Sequence, residues 1–167
     1  MKLQLTGIAA LTLCLVAAGR PATDGKITVT VMKYDGLTEL IKKNKGKVLV
    51  LDFWADYCIP CKREFPKLVA LNQKHAKDPF LAISVSLDDL SEDGAKAKVQ
   101  KFLDAQKATF TNLILDEKPD VWQAKLKIDG PPLVIVFDKD GKMEQKFVDK
   151  AVDYEKIGQL VAELLKK

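Results

Sequence analysis

Hydrophobic runs alternate along the chain with segments that are apolar on one side only, in an order typical of an α/β protein. Residues 48–53 form a nearly continuous apolar run, as expected for a strand buried on both faces of a sheet. The predicted strands are residues 27–31, 48–53, 80–87, 110–115, 133–137 and 143–148. Helical spacing predicts helices over 37–45 and 91–106, after Cys61, around Trp122 and after Asp153.

Helix ends and turns can also be predicted from single residues. Ser91, Asp116 and Asp153 are predicted N-caps, because their side-chain oxygens can accept hydrogen bonds from the free N–H groups of a first helical turn. Pro66 is expected to kink the helix after Cys61 without ending it. Residues 138–141, Asp-Lys-Asp-Gly, predict a hairpin turn between the last two strands. These elements predict an α/β sandwich with a mixed central sheet.

Composition adds that this is one globular domain of ordinary character. The chain has 167 residues, of which 47% are hydrophobic and 30% charged, enough for a single hydrophobic core. The formal net charge is +4, and acidic and basic residues are mixed along 92–107, as on a solvated helix face. No basic patch with interleaved aromatic residues occurs, so nucleic acid is not an expected partner.

The N-terminal segment is predicted to be a signal peptide, residues 1–19, cleaved near Ala18 or Gly19. Its apolar run is too short to span a membrane; the alternative is a buried N-terminal helix. A lipid anchor at Cys14 is not favoured, since the preceding residues 11–13, Leu-Thr-Leu, lack a small residue before the cysteine. The folded domain is expected over 24–167, in the periplasm or another extracytoplasmic space where disulfides persist.

The candidate chemistry lies in Cys58-Ile59-Pro60-Cys61, a C-x-x-C sequence between a predicted strand and a predicted helix. The partial positive charge and free N–H groups of a helix N-terminus stabilise a thiolate on Cys58, which we expect to be the more exposed cysteine. Cys61, one turn inside the helix, could then attack a mixed disulfide formed on Cys58. Pro60 suits a first helical turn, where no N–H is required. The pair is therefore predicted to be a redox-active disulfide.

Two other interpretations of the cysteine pair are a zinc half-site and a purely structural disulfide. Zinc needs four ligands, and the only histidine, His75, lies about four turns further along the helix. We expect His75 to be a surface residue and Trp122 a core residue. No metal and no cofactor are predicted.

Residues 52–61 resemble the active-site stretch of thioredoxins, and 62–66, Lys-Arg-Glu-Phe-Pro, resemble the TlpA/ResA branch of exported thiol–disulfide oxidoreductases. Residues 130–132, Gly-Pro-Pro, resemble that family's cis-proline loop, with Pro132 in the cis-proline place. The interval 88–126 resembles the branch's insertion. The resemblance implies a thioredoxin-like three-layer sandwich: a mixed central sheet, helices on both faces, and an insertion between the central strand and the cis-proline loop.

The chain departs from the family pattern at several positions. Tyr57 replaces the tryptophan usual before the first cysteine, and Pro131 has no N–H to offer to a substrate main chain. Asp52 stands where the exported branch often has asparagine. The lysine that accompanies this acid in thioredoxins is missing, with Ser84 roughly in its place.

The resemblance also implies roles for the site residues. The predicted catalytic residues are Cys58, Cys61, Glu64 and Asp52, with either acid able to serve as the base for Cys61. The predicted substrate-binding residues are Trp54, Tyr57, Ile59, Pro60, Pro131 and Pro132.

The predicted activity is that of a reductant, because Ile-Pro between the cysteines offers no donor to stabilise the thiolate and the nearby acids oppose it. The implied partners are disulfide-bearing exported proteins, as in cytochrome c maturation, and a membrane thiol-electron transporter as donor. We expect a monomer. The alternative is a non-catalytic thioredoxin-fold binding module or a metal chaperone.

Overall fold

The computed structural model describes residues 26–167, and six strands in them form one mixed sheet. The strands are β1 (Val29–Met32), β2 (Val48–Trp54), β3 (Phe80–Ser86), β4 (Thr111–Leu115), β5 (Leu133–Phe137) and β6 (Met143–Val148). Their order across the sheet is β1-β4-β3-β2-β5-β6. The first four in this order are parallel, whereas β5 is antiparallel to β2 and β6 to β5.

Helices cover both faces of this sheet. They are α1 (Tyr34–Lys43), α2 (Ile59–Lys74), α3 (Ala95–Gln106), α4 (Pro119–Leu126) and α5 (Tyr154–Lys166), with a 3₁₀ turn at Asp149–Ala151. Alternate residues of β2 enter two separate cores: Val48 and Val50 pack with α2, α3 and α5, while Leu49 and Leu51 pack with α1 and α4. The predicted thioredoxin-like sandwich is confirmed, and β4 of the insertion lies between β1 and β3.

Two of the three predicted N-caps are wrong. Helix α3 begins at Ala95, after Gly94 at φ 73°, and Ser91 lies in a preceding turn held by Asp89. Helix α4 is preceded by Lys118 without a side-chain cap, because Asp116 lies too far ahead of Pro119 and pairs with Lys33. Asp153 does cap α5, accepting hydrogen bonds from the backbone N–H groups of residues 155 and 156. The capping signals therefore predicted that these helices exist, but for α3 and α4 they did not predict the residue at which the helix begins.

Helix α2 continues through Pro66 to Lys74, as predicted. Its C-cap, His75, is buried and not on the surface: its ring contacts Phe80, and Nδ1 lies 2.7 Å from Asp78 Oδ2. The ring is covered because α2 ends directly against the start of β3. Trp122 is buried, as predicted.

The N-terminal predictions, the signal peptide of residues 1–19 and the fate of Cys14, lie outside the described residues. Over residues 26–167, none of the helices combines the length and the hydrophobicity that a membrane span requires.

Candidate active site

The two cysteines form a disulfide at the junction of β2 and α2, with Cα atoms 5.3 Å apart. Cys58 is the N-cap of α2, and its Sγ accepts a hydrogen bond from the Cys61 backbone N–H at 3.3 Å. Pro60 occupies the first helical turn. The sulfur of Cys58 therefore sits where the free N–H groups and dipole of a helix can stabilise negative charge.

The exposed surface around the disulfide belongs mainly to the residues next to the cysteines. Cys58 is 5% exposed and Cys61 3%, so Cys58 is the more exposed cysteine, as expected, but by a small margin and with both residues buried. Tyr57 and Ile59 are instead 66% and 75% exposed. Two large side chains next to the disulfide are thus open to contact with another protein.

The segment before Cys58 is anchored to the end of β3. The Asp88 carboxylate accepts hydrogen bonds from the Asp56 backbone N–H, at 3.0 and 3.1 Å, and from Ser86 Oγ at 2.7 Å. The Asp56 carboxylate in turn pairs with Lys62 of α2 at 2.9 Å. Strand β3 and helix α2 together fix the approach to the disulfide.

Trp54 was predicted to bind substrate, but it does not lie on the surface of the site. It is fully buried at the end of β2, and its ring packs against Phe65 and Phe102. Its Nε1 donates a hydrogen bond to Ser84 Oγ at 3.0 Å. Because both faces of β2 are covered, Trp54 supports the site from inside the core.

A cleft of about 760 Å³ opens beside Cys61. It brings together most of the predicted site residues: Asp52, Pro60, Cys61, Glu64, Pro131 and Pro132. It is also lined by Arg63, Lys67, Asp149, Lys150, Val152, Asp153 and Tyr154. Tyr57 and Ile59 lie outside this lining, on the surface next to the disulfide.

The cis-proline loop forms one wall of the cleft. The peptide bond between Pro131 and Pro132 is cis, as the family resemblance implied. The Pro132 carbonyl accepts a hydrogen bond from the Asp149 N–H at 3.1 Å. Asp149 has φ 51°, an uncommon backbone conformation for a residue with a side chain. The turn after β6 thus holds the loop before β5.

Asp52 is buried on the cleft side of β2. Its carboxyl group accepts a hydrogen bond of 2.5 Å from the hydroxyl of Tyr154, 102 residues later in the chain. Burial raises the pKa of Asp52 to about 7, and the hydrogen bond from Tyr154 acts in the opposite direction. A carboxyl group with such a pKa can accept and release a proton near neutral pH.

Glu64 lies on the same cleft in a different environment. Lys67 Nζ is 2.5 Å from its carboxylate and Arg63 Nε is 3.5 Å away. The hydrogen bond from Lys67 is the main reason that the pKa of Glu64 lies below its ordinary value. Glu64 is therefore a weaker base than Asp52.

Tyr154 is the site residue that sequence reasoning missed. Its position was indicated indirectly, because Asp153 was predicted to cap the last helix and Tyr154 is the first residue of that helix. Nothing in the sequence, however, connects the start of α5 with Asp52. That contact depends on α5 packing across the end of β2.

The chain is similar to proteins that are named for thiol–disulfide chemistry. A sequence profile of the family described as thioredoxin-like matches residues 46–143. Sporulation thiol-disulfide oxidoreductase A of Bacillus subtilis is 29% identical over 124 residues, which cover 74% of this chain and 67% of that protein. Thiol-disulfide oxidoreductase ResA of Geobacillus kaustophilus is 28% identical over 130 residues, covering 78% and 68%. Across five relatives, four of them named as thiol-disulfide oxidoreductases and one as a thioredoxin-like protein, the match spans between 55% and 68% of the relative's own length.

Solved structures show the same similarity. A thiol:disulfide interchange protein from Bacteroides sp. superimposes with a TM-score of 0.57 at 26% identity, covering 75% of this chain and 78% of that one. The thioredoxin domain of a thiol-disulfide oxidoreductase from Bacteroides vulgatus gives 0.57 at 25% identity, covering 71% and 82%.

Proposed function

The chain belongs to the thioredoxin-like family of thiol–disulfide oxidoreductases, and from that premise we propose that it is an exported reductant of disulfide bonds in other proteins. One observation carries this proposal. The Cys58–Cys61 disulfide lies at the N-terminus of α2, and Cys61 lines a cleft that also holds the buried carboxyl group of Asp52, whose pKa burial raises to about 7. A structural disulfide would not require such a group beside it.

The first step is carried out by Cys58. In the reduced protein, its thiolate attacks one sulfur of a substrate disulfide, and the other substrate sulfur leaves as a thiolate. The helix N-terminus stabilises the attacking thiolate through the Cys61 N–H, which already points at Cys58 Sγ in the disulfide. The product is a mixed disulfide between Cys58 and the substrate. Exposed Tyr57 and Ile59 provide an apolar contact surface for that substrate.

The second step requires that Cys61 lose its proton. We assign the base to Asp52, because its pKa of about 7 suits proton transfer at neutral pH, whereas Glu64 is held ionised by Lys67. The proton passes from Cys61 to Asp52, and the Cys61 thiolate attacks Cys58 Sγ. The bond between Cys58 and the substrate breaks, and the second substrate sulfur leaves reduced. The substrate has gained two electrons and the protein has become oxidised.

The direction is set by what surrounds the cysteines. Residues 59 and 60, Ile-Pro, carry no side-chain donor or cation that would stabilise the reduced form. We therefore expect a reduction potential nearer to about −270 mV, as in thioredoxin, than to the about −120 mV of a strong oxidant of this fold. Equilibration with a glutathione buffer measures the potential directly. A value near that of the strong oxidant would contradict the proposed direction.

The proposed location is outside the cytoplasm, with residues 1–19 as a cleaved signal peptide. A reductant in an oxidising compartment needs a thiol-electron donor, for which a membrane transporter is the proposed source. Apocytochrome c or other oxidised exported proteins are the proposed substrates.

Reduction of insulin by the pre-reduced protein tests the activity. Insulin should be reduced much faster than by an equal concentration of free dithiol, and Cys58→Ser should abolish the excess. A rate no higher than that of free dithiol would favour a non-catalytic binding module.

Substrates and the donor can be identified with Cys61→Ser, which cannot carry out the second step. Mixed disulfides on Cys58 should accumulate in cells that make this protein. Cys58→Ser/Cys61→Ser is the matched control, and proteins trapped by both variants are not substrates. Recovery of only cytoplasmic proteins would contradict the proposed location.

A further inference from the structure

We propose that Tyr154 is a positioning residue that holds the Asp52 carboxyl group in place as the proton acceptor for Cys61. This inference rests on the proposed function, because it assumes that Asp52 is the base. It assigns a role to the first turn of α5, a segment far from the cysteines in sequence.

The contact between Tyr154 and Asp52 is a hydrogen bond between two buried side chains. The Tyr154 hydroxyl donates to Asp52 Oδ2 at 2.5 Å, and both residues are buried. Both also line the cleft that Cys61 borders. Among residues 26–167, no other side chain is hydrogen-bonded to Asp52. A buried carboxyl group without this donor would have a costly unpaired acceptor.

The backbone fixes where the hydroxyl can be. Tyr154 is the first residue of α5, and Asp153 directly before it caps the helix through two backbone N–H groups. Ile157 and Val161, one and two turns later, are fully buried in the core shared with α2. The cap and these apolar residues place the ring of Tyr154 beside β2. Its hydroxyl is thereby held next to the carboxyl group of Asp52.

The Tyr154 hydroxyl stays protonated, and so remains a hydrogen-bond donor, over the pH range in which Asp52 titrates. Burial raises the pKa of Tyr154 well above its ordinary value, and the Asp52 carboxylate raises it further. A phenol that stays protonated stabilises the ionised carboxylate more than the neutral acid. The bond therefore keeps enough of Asp52 ionised at neutral pH to accept the proton of Cys61.

Other groups around Asp52 are neutral or belong to the rest of the cleft. Its partners in the sheet, Ser84 on β3 and Val134 on β5, carry no charge. The charged and titratable groups of the cleft are Cys61, Arg63, Glu64 and Lys67 from α2, Asp149 and Lys150 from the turn after β6, and Asp153 and Tyr154 at α5. Only Tyr154 of this set makes a hydrogen bond to Asp52.

The experiment separates the two chemical steps in the full chain carrying Cys14→Ser, so that Cys58 and Cys61 supply its only thiols. The reduced protein is mixed with an aromatic disulfide that releases one coloured thiol when Cys58 attacks and a second when Cys61 displaces it. The rate of the second release is followed against pH for the wild type, Tyr154→Phe, Asp52→Asn and the double variant. Tyr34→Phe removes the same atom at the start of α1, away from the cleft, and serves as the matched control.

Tyr154→Phe keeps the ring and removes the donor. The acidic limb of the second release should move up by about one to two pH units, as expected for loss of a hydrogen bond to a charged group. Below the wild-type midpoint this slows the second release about ten- to hundredfold, while well above both midpoints the rates converge. The first release and the Tyr34→Phe profile should not change. In the Asp52→Asn background, Tyr154→Phe should have no further effect.

Each alternative gives a different result. If Asp52→Asn removes the acidic limb but Tyr154→Phe leaves it in place, the role of Tyr154 is wrong and the base assignment stands. If Asp52→Asn keeps the limb, the base assignment itself fails. If Tyr154→Phe slows both releases equally and lowers the unfolding midpoint, Tyr154 is only a packing residue and the inference is overturned.

Discussion

The floor of the cleft, formed by Asp52 and Tyr154, and its rim on α2, formed by Glu64, Arg63 and Lys67, each contain one carboxyl group. On the floor, burial raises the pKa of Asp52 to about 7. On the rim, Lys67 lowers the pKa of Glu64. The two carboxyl groups of this cleft thus differ near neutral pH: Asp52 can exchange a proton, whereas Glu64 stays ionised. The comparison shows that the environment of an acid, and not its closeness in sequence to the cysteines, sets its pKa.

The floor should dominate the chemistry. Asp52→Asn removes the proposed base, so the Cys61 step should slow by about a hundredfold or more at neutral pH. The two-step thiol-release assay measures this, with the first release as internal reference. If Asp52→Asn slows the Cys61 step by less than threefold, Asp52 is not the base, and the proposed difference between floor and rim is wrong.

On the floor, we also expect the ionisation of Asp52 to lower the free energy of unfolding at alkaline pH. Because the folded-state pKa of Asp52 is above its unfolded value, the folded protein binds the proton more tightly, and stability falls as pH rises from about 4 to about 7. Asp52→Asn removes this penalty and should stabilise the protein by about 2–4 kcal/mol at pH 8, with Tyr154 donating to the new amide oxygen. Urea unfolding at pH 8 and pH 4 measures it. An equal effect at both pH values would contradict the assigned pKa.

The rim should contribute little to the rate. Glu64→Gln keeps the shape of the side chain and removes its charge, and the Cys61 step should change less than about threefold because Lys67 already holds this acid ionised. The same assay gives the answer. A loss comparable to that of Asp52→Asn would transfer the role of base to the rim.

The rim should affect stability weakly and with the opposite sign. The lowered pKa of Glu64 means that its contribution is present above its unfolded pKa and is lost as pH falls through the folded value. Glu64→Gln should therefore destabilise by about 0.2–1 kcal/mol at pH 7, as for exposed ion pairs, and by less in acid. Lys67→Gln is the matched partner variant in urea unfolding. Stabilisation at pH 7 by either substitution would break the comparison.

Local sequence signals predicted much of this architecture and part of the site. Strands β5 and β6 begin and end at the predicted residues, because the Asp-Lys-Asp-Gly turn between them fixes a hairpin locally. The N-caps predicted at Ser91 and Asp116 were wrong, since an acceptor side chain caps a helix only if the chain enters the helix directly after it. His75, predicted on the surface, is buried because the end of α2 packs on β3.

The sequence by itself determined the spacing of two cysteines at the start of a helix and the alternation of strands and helices that places that helix at the edge of a sheet. These depend on neighbours in the chain, whose geometry is set by bond rotations over a few residues. Only the tertiary structure decided that Trp54 supports the site from the core, that Glu64 forms an ion pair with Lys67, and that Tyr154 reaches Asp52. Burial and hydrogen bonds between distant residues depend on how helices pack against the sheet, and those contacts set the pKa values that separate the two acids.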